Sequence, residues 1–162
     1  NIRQVQPKTQ SNFLFYYPLN HYTQMKIRDL DGHIYTWKTE GAVIRSGDIR
    51  PRSQLHLTAR SILRETYPTL QICEEVRVRL RYNKQIFVDF YINTIKTVIE
   101  VHGQQHYKFN SLYHSSAQDF LNQKKRDSEL QDWCSINNLN YIELPFNENE
   151  QQWISRILQR NS

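Results

Sequence analysis

The chain has 162 residues, with 21 Lys and Arg against 16 Asp and Glu for a formal charge of +5, and a sequence pI near 9.3. That length fits one ordinary domain with an accessory segment and excludes a second full catalytic domain. The basic balance favours a polyanionic partner over an acidic protein or a neutral metabolite. Cys73 and Cys134 are too far apart for a disulfide framework or a zinc ribbon. No apolar run approaches the roughly 18 to 20 residues a bilayer span needs, and no signal pattern opens the chain, so a soluble intracellular protein is expected. A chain that begins on Asn1 rather than Met reads as a fragment or a processed product.

The first fifty residues differ in texture from the rest. An aromatic run, Phe13 to Tyr17, is broken by Pro18. Met25 to Arg28 and Ile34 to Lys38 then flank Asp31-Gly32, a pair that favours a tight hairpin turn. Gly41, Gly47 and Pro51 punctuate a connector that ends at the helix cap Ser53, so residues 1–52 read as a β-rich accessory segment and 53–162 as the core domain.

From Ser53 to Thr66, Leu55, Ala59, Ile62 and Leu63 recur at helical spacing until Pro68. Gln71 to Leu80, Gln85 to Ile92 and Lys96 to His102 read as strands, with a turn at Asn83-Lys84. Ser116 to Asn137 is a long helix and Asn140 to Leu144 a short strand, and Asn147 with Glu150 resembles a capping box for a last helix. The expected class is α/β, in the order helix, three strands, helix, strand, helix, preceded by a β-hairpin appendage.

The segment Ile86 to Tyr107 carries the chemistry. Charged groups inside apolar strands are costly unless they are used. Alternation puts Glu100 and His102 on the face of Val98, and sets Asp89 with Phe87 and Tyr91, opposite Ile86, Val88, Phe90 and Ile92. Two carboxylates and the imidazoles of His102 and His106 converge at one end of a small sheet. Such a set suits Mg²⁺ or Mn²⁺, held by Asp89 and Glu100 and completed by water and phosphate oxygens. The ion lowers the pKa of a water and neutralises phosphate charge while an imidazole moves the proton, which is the chemistry of a metal-dependent nuclease.

On the long helix Asp127 falls among Phe120, Leu130 and Cys134, an acid on the buried face. It pairs with Arg126 or Lys124, or reaches in to orient His106 or a bound water. Asp89 facing solvent, and His102 with His106 as structural histidines or as a zinc corner completed by His114, are the alternatives at the strand site. One of Glu74 and Glu75 must face inward, and Gly103 suggests a sharp turn or a close backbone approach. Lys108 lies in an aromatic loop, Tyr107 to His114, of the kind that stacks on bases or packs a core. Lys124, Lys125 and Arg126 form the densest basic run, and Arg77, Arg79 and Arg81 alternate along one strand as a stripe able to track a phosphate backbone or to face solvent.

Asp89, ten residues, then Glu100-Val101-His102, within this order of elements, resembles the PD-(D/E)xK nuclease superfamily with its restriction-endonuclease-like fold. The segment Glu100-Val101-His102-Gly103-Gln104-Gln105-His106 followed by Asp127 is similar to the branch of very-short-patch-repair endonucleases and EDxHD phage homing endonucleases. The likeness covers roughly residues 53–158, with His102 where the superfamily has Lys and Val88 where it has Pro. It implies a metal-dependent DNA endonuclease in which His106 is general acid or base, His102 supports the water or phosphate, and Asp127 orients an imidazole. Glu65 is implied as the leading acid of the first helix. A phage origin and action in the bacterial cytoplasm are implied likewise, with the hairpin appendage gripping DNA. A catalytically inactive DNA-binding or assembly module and an RNA-directed nuclease are the alternatives.

Overall fold

The computed structural model describes residues 24–39, 42–43, 52–112 and 114–159. The aromatic run Phe13 to Tyr17, Pro18, Gly41, Gly47, Pro51 and Tyr113 lie outside the described residues. Among the described residues the protein is mixed α/β, with two sheets and three helices, and neither sheet closes into a barrel.

Strands β1 (Gln24–Arg28) and β2 (Ile34–Lys38) form the expected antiparallel hairpin. Its turn is built on a buried acid as well as on the positive φ of Gly32. The Asp29 carboxylate accepts the N–H groups of Asp31 at 3.0 Å and His33 at 2.9 Å. Strand β3 (Ala42–Val43), which the Gly and Pro punctuation had marked as connector, adds to the edge of the main sheet.

The main sheet runs β3-β4-β5-β6-β7, with β4 (Cys73–Arg81), β5 (Lys84–Ile92), β6 (Thr97–His102) and β7 (Asn140–Pro145). All pairs are antiparallel except β6 and β7, whose parallel pairing requires a crossover. That crossover is α2 (Ala117–Ile136), capped by Ser116. Helix α1 (Gln54–Thr66) is capped by Ser53 as expected. Helix α3 (Glu150–Gln159) opens on a reciprocal capping box, two residues later than expected. Asn149 Oδ1 accepts the Gln152 N–H at 3.0 Å and Gln152 Oε1 accepts the Asn149 N–H at 2.9 Å.

Apolar residues cover both faces of the sheet, which therefore sits inside two cores. On one face Val76, Val78, Leu80, Ile86, Val88 and Tyr91 pack with Leu130, Trp133 and Cys134 of α2 and with Ile27 and Trp37 of the hairpin. On the other, Phe90, Ile92, Ile99, Ile142 and Leu144 pack with Ala59, Ile62 and Leu63 of α1 and Trp153 and Ile157 of α3. Strict alternation along β5 would set Val88 and Phe90 on one face, and the protein departs from it. Val88 and Tyr91 share the α2 face, whereas Phe90 and Ile92 turn to α1 and α3. The change falls where Glu75 takes φ 50° and the β4–β5 pairs skip from Glu74 with Phe90 to Val76 with Val88. A left-handed residue breaks the two-residue period, so the side chains beyond it exchange faces. Asp89 lies at this seam.

Candidate active site

Strands β5 and β6 pair from Ile92 with Thr97 to Phe90 with Ile99, and then two carboxylates take over from backbone. Glu100 Oε1 accepts the Asp89 N–H at 3.0 Å, and Asp89 Oδ2 accepts the Val101 N–H at 2.8 Å. Each acid thus caps the strand opposite, which holds the two side chains together where the strands part. Glu100 is buried, and its pKa is pushed up to about 7, first by burial and then by the negative charge of Asp89. Arg126 partly offsets that charge, with Nη1 3.3 Å from Glu100 Oε2.

Four residues beyond His102, a single tight turn, Gln104–His106, brings His106 back onto it. The two buried imidazoles stack at 4.1 Å between centroids and 10° between planes. Gly103 has an ordinary φ of −73°, and the three atoms nearest to a Cβ there all belong to the movable end of the Gln105 side chain, so neither a special turn nor a close backbone approach explains it. Each imidazole has its own carboxylate. His106 Nδ1 lies 2.9 Å from Asp127 Oδ2, and His102 Nδ1 lies 3.3 Å from Glu143 Oε1. Burial pushes both acids up, but the imidazole contacts outweigh it. For Asp127 the result is a lowered pKa, and for Glu143 the bond from His102 is the largest influence and the value falls to about 2.

Asp127 does sit on the buried face of α2, and it meets one partner from each of the two alternatives, since besides His106 it has Arg126 Nη1 3.1 Å from its Oδ1. Arg126, expected among surface phosphate contacts, instead turns inward to Glu100, Asp127 and the Phe87 carbonyl. Arg79 is likewise diverted. Its guanidinium lies 4.0 Å over the Tyr35 ring and 3.4 Å from buried Asp29, docking the hairpin on β4. Arg81 is engaged with Asp31 and Glu129, so the alternating arginines do not form a free stripe; Arg77 is exposed on β4. Lys108, Lys124 and Lys125 are exposed, as are Phe109, Leu112 and Leu121. Lys124 lies over the Tyr107 ring at 5.3 Å.

Glu65 does not join the site. It is exposed on α1 and accepts a bond from Ser61 at 3.2 Å, because it lies on the side of α1 opposite the inward face, whose charged side chains are on the first turns. These are His56 and Arg60, both buried. Arg60 binds the wholly buried Glu74 through two bonds of 2.8 and 2.9 Å, and His56 Nε2 lies 2.9 Å from Glu74. His56 Nδ1 also lies 3.6 Å from Asp89 Oδ1. Burial pushes the His56 pKa down, but Asp89 and Glu74 outweigh it and hold it above the ordinary value. Of the adjacent acids, Glu74 is therefore the inward one and Glu75 the exposed one.

His56, Arg60, Gln123 and Glu143 were not legible as site residues. An acid within the Ile142-Glu143-Leu144 strand was the one available signal, of the same kind that marked Glu100.

A zinc corner does not fit. Ring atoms of His102 and His106 lie with a carboxylate oxygen of Asp127 within 4.8 Å of one another, but stacked parallel rings direct their in-plane lone pairs alongside each other rather than at one point. His114 turns away to Gln123 at 2.8 Å. Asp89 and Glu100 fit a hard divalent cation better. Asp89 Oδ1 and Glu100 Oε2 remain outside the backbone bonds, and the repulsion between buried Glu100 and half-buried Asp89 favours a cation between them.

No family model matches the chain, and no solved structure matches it. It is similar to uncharacterized viral proteins. Uncharacterized protein 307L of Invertebrate iridescent virus 6 is 36% identical over 64 residues, which are 40% of this chain and 32% of the relative. Uncharacterized protein 033L of Invertebrate iridescent virus 3 is 34% identical over 59 residues, 36% of this chain and 30% of the relative. Uncharacterized protein 094L of Frog virus 3 (isolate Goorha) is 35% identical over 60 residues, 36% of this chain and 39% of the relative. The matches span about a third of the length of these curated relatives. Among the described residues no helix is long and apolar enough to cross a membrane.

Proposed function

We propose that the protein is a metal-dependent DNA endonuclease with a restriction-endonuclease-like core. One observation carries it. Asp89 and Glu100 are locked together by reciprocal bonds to each other's strands, and Arg126 links Glu100 to the buried His106–Asp127 pair. A buried carboxylate held against a second, half-buried one is unfavourable for folding alone, which supports a use for the pair.

Asp89 and Glu100 would hold Mg²⁺ or Mn²⁺, which when bound supplies charge neutralisation at the phosphate and a water of lowered pKa. The chain's own groups do the rest. Asp127 engages His106 at Nδ1 and leaves Nε2 to take a proton from the attacking water. His102, anchored on Glu143, supports the ring of His106 from one side and faces Tyr107 on the other. Exposed Lys108, Lys124 and Lys125 would take up phosphates flanking the scissile bond, and Phe109 and Leu112 offer apolar contact there.

A second reading has its own observation. Arg126 reaches the Glu100 oxygen that a metal would use, and a guanidinium in that position suits a nuclease-fold module that binds DNA without cutting it. Incubating supercoiled plasmid and an RNA transcript with the protein in Mg²⁺, Mn²⁺ or EDTA separates these. Metal-dependent nicking or linearisation of plasmid is expected. Duplex binding without cleavage in any ion favours the module, and cleavage of RNA alone favours an RNA-directed enzyme.

A further inference from the structure

We infer that Gln123 and His114 are positioning residues that preset His106 as a neutral base with its lone pair on Nε2. The inference deepens the nuclease proposal and rests on it for its purpose, though not for its geometry.

The assignment begins at a group with no ambiguity. The backbone N–H of Asn110 donates to His114 Nδ1 at 3.2 Å, and a backbone amide can only donate. His114 Nδ1 therefore carries a lone pair, and the ring proton is on Nε2. That proton is donated to Gln123 Oε1 at 2.8 Å. With its oxygen committed, the Gln123 amide presents NH₂ to His106 Nε2 at 3.0 Å, so this nitrogen accepts. The His106 proton is then on Nδ1 and is donated to Asp127 Oδ2. Arg126 donates to the other Asp127 oxygen, which keeps that carboxylate an acceptor.

Reversing the Gln123 amide would require a lone pair on His114 Nε2 and hence a proton on Nδ1, pointed at the Asn110 N–H. One backbone amide thus settles the state of an imidazole four residues and two side chains away. His114 is held for the purpose: it is buried, edge-on to Phe120 at 5.3 Å and stacked with Phe109 at 5.8 Å. Gln123, half-buried on α2, has a flexible side chain and is the part that yields Nε2 to a water when substrate arrives.

The decisive measurement is the ¹⁵N signature of the His106 ring in metal-free protein, read with cleavage kinetics in Mg²⁺. Wild type is expected to carry the proton on Nδ1 alone. His114→Gln keeps a donor near the place of Nε2 and should preserve both the tautomer and kcat. His114→Leu removes it, so the Gln123 amide turns freely. The ring should then populate both tautomers and kcat should fall roughly 10-fold to 100-fold at unchanged KM, the range for groups that orient a functional imidazole.

Gln123→Met, on a half-exposed helix position, tests the same link without opening the buried His114 site. A wild-type His106 protonated on Nε2 overturns the inference, as does a His114→Leu or Gln123→Met protein with wild-type tautomer and rate. A wild-type protein that shows the expected tautomer and its loss in the variants but cleaves nothing sustains the positioning and removes the nuclease proposal instead.

Discussion

Asp89 and Glu100 each satisfy a backbone N–H across the gap between β5 and β6: Glu100 accepts that of Asp89 itself, and Asp89 accepts that of Val101. The strand ladder ends where this exchange begins, so the two acids are structural caps as well as candidate metal ligands.

Glu100→Gln keeps the cap and removes the charge. We expect it to fold as wild type, to bind duplex DNA and to lose cleavage by at least about 100-fold. Glu100→Ala should lose about 1–3 kcal/mol of stability besides, because it leaves the Asp89 N–H and Arg126 without their partner. Urea denaturation of the two variants beside plasmid cleavage checks both statements, and cleavage retained by Glu100→Gln removes Glu100 from the chemistry.

Mg²⁺ or Mn²⁺ should raise the melting temperature of wild type and not that of Glu100→Gln, since a ligand bound only by the folded state adds about 2.7 kcal/mol at 100 times its Kd. Equal shifts in the two proteins would put the ion elsewhere.

Lys125→Ala should weaken binding to every duplex sequence and lower the salt dependence of affinity by about one phosphate contact. Arg79→Ala should instead lower stability with little change in affinity, because Arg79 is engaged with Tyr35 and Asp29. Affinity measured across a salt series, with melting curves for both proteins, distinguishes the two roles.

Trp37 is buried against Tyr91 at 4.7 Å and Trp133 at 5.3 Å, and its indole N–H donates to the Arg77 carbonyl at 2.9 Å. Trp37→Ala is expected to cost about 3–5 kcal/mol. A smaller loss in urea denaturation, below about 1 kcal/mol, would mean that the hairpin is an appendage whose packing the core does not need.

Glu129 lies between Lys84 and Arg81. Burial pushes its carboxyl up, but the bonds from Lys84 and Arg81 outweigh it and hold the pKa below the ordinary value. A carboxylate depressed in the folded state stabilises above its unfolded pKa and loses that contribution as pH falls through the folded value. Glu129→Gln should therefore melt below wild type at pH 7, and the gap should close as pH drops below about 4.3, the ordinary glutamate value. A gap that persists unchanged at low pH would assign the loss to packing.

The sequence by itself determined the elements and the strands that carry the candidate site. Hydrophobic spacing, Ser53, Ser116 and the Asp31-Gly32 turn are local signals, and they marked both helix caps, the hairpin and four strands to within a few residues. Acids within apolar strands likewise marked Asp89 and Glu100, because burial of charge is costly wherever it occurs.

Only the tertiary structure decided which side chains meet. The face exchange in β5 falls beside the left-handed Glu75 of a neighbouring strand, a conformation no period reveals. Arg126 and Arg79 were indistinguishable in sequence from surface cations until the carboxylates of Glu100 and Asp29 lay beside them. Glu65, His56 and Arg60 share one helix, and its rotation against the sheet turned the acid to solvent and the two basic groups to Glu74. Periodicity reports how a segment folds on itself, whereas partners are set by contacts between segments distant in the chain, whose geometry is fixed only when the two cores close around the sheet.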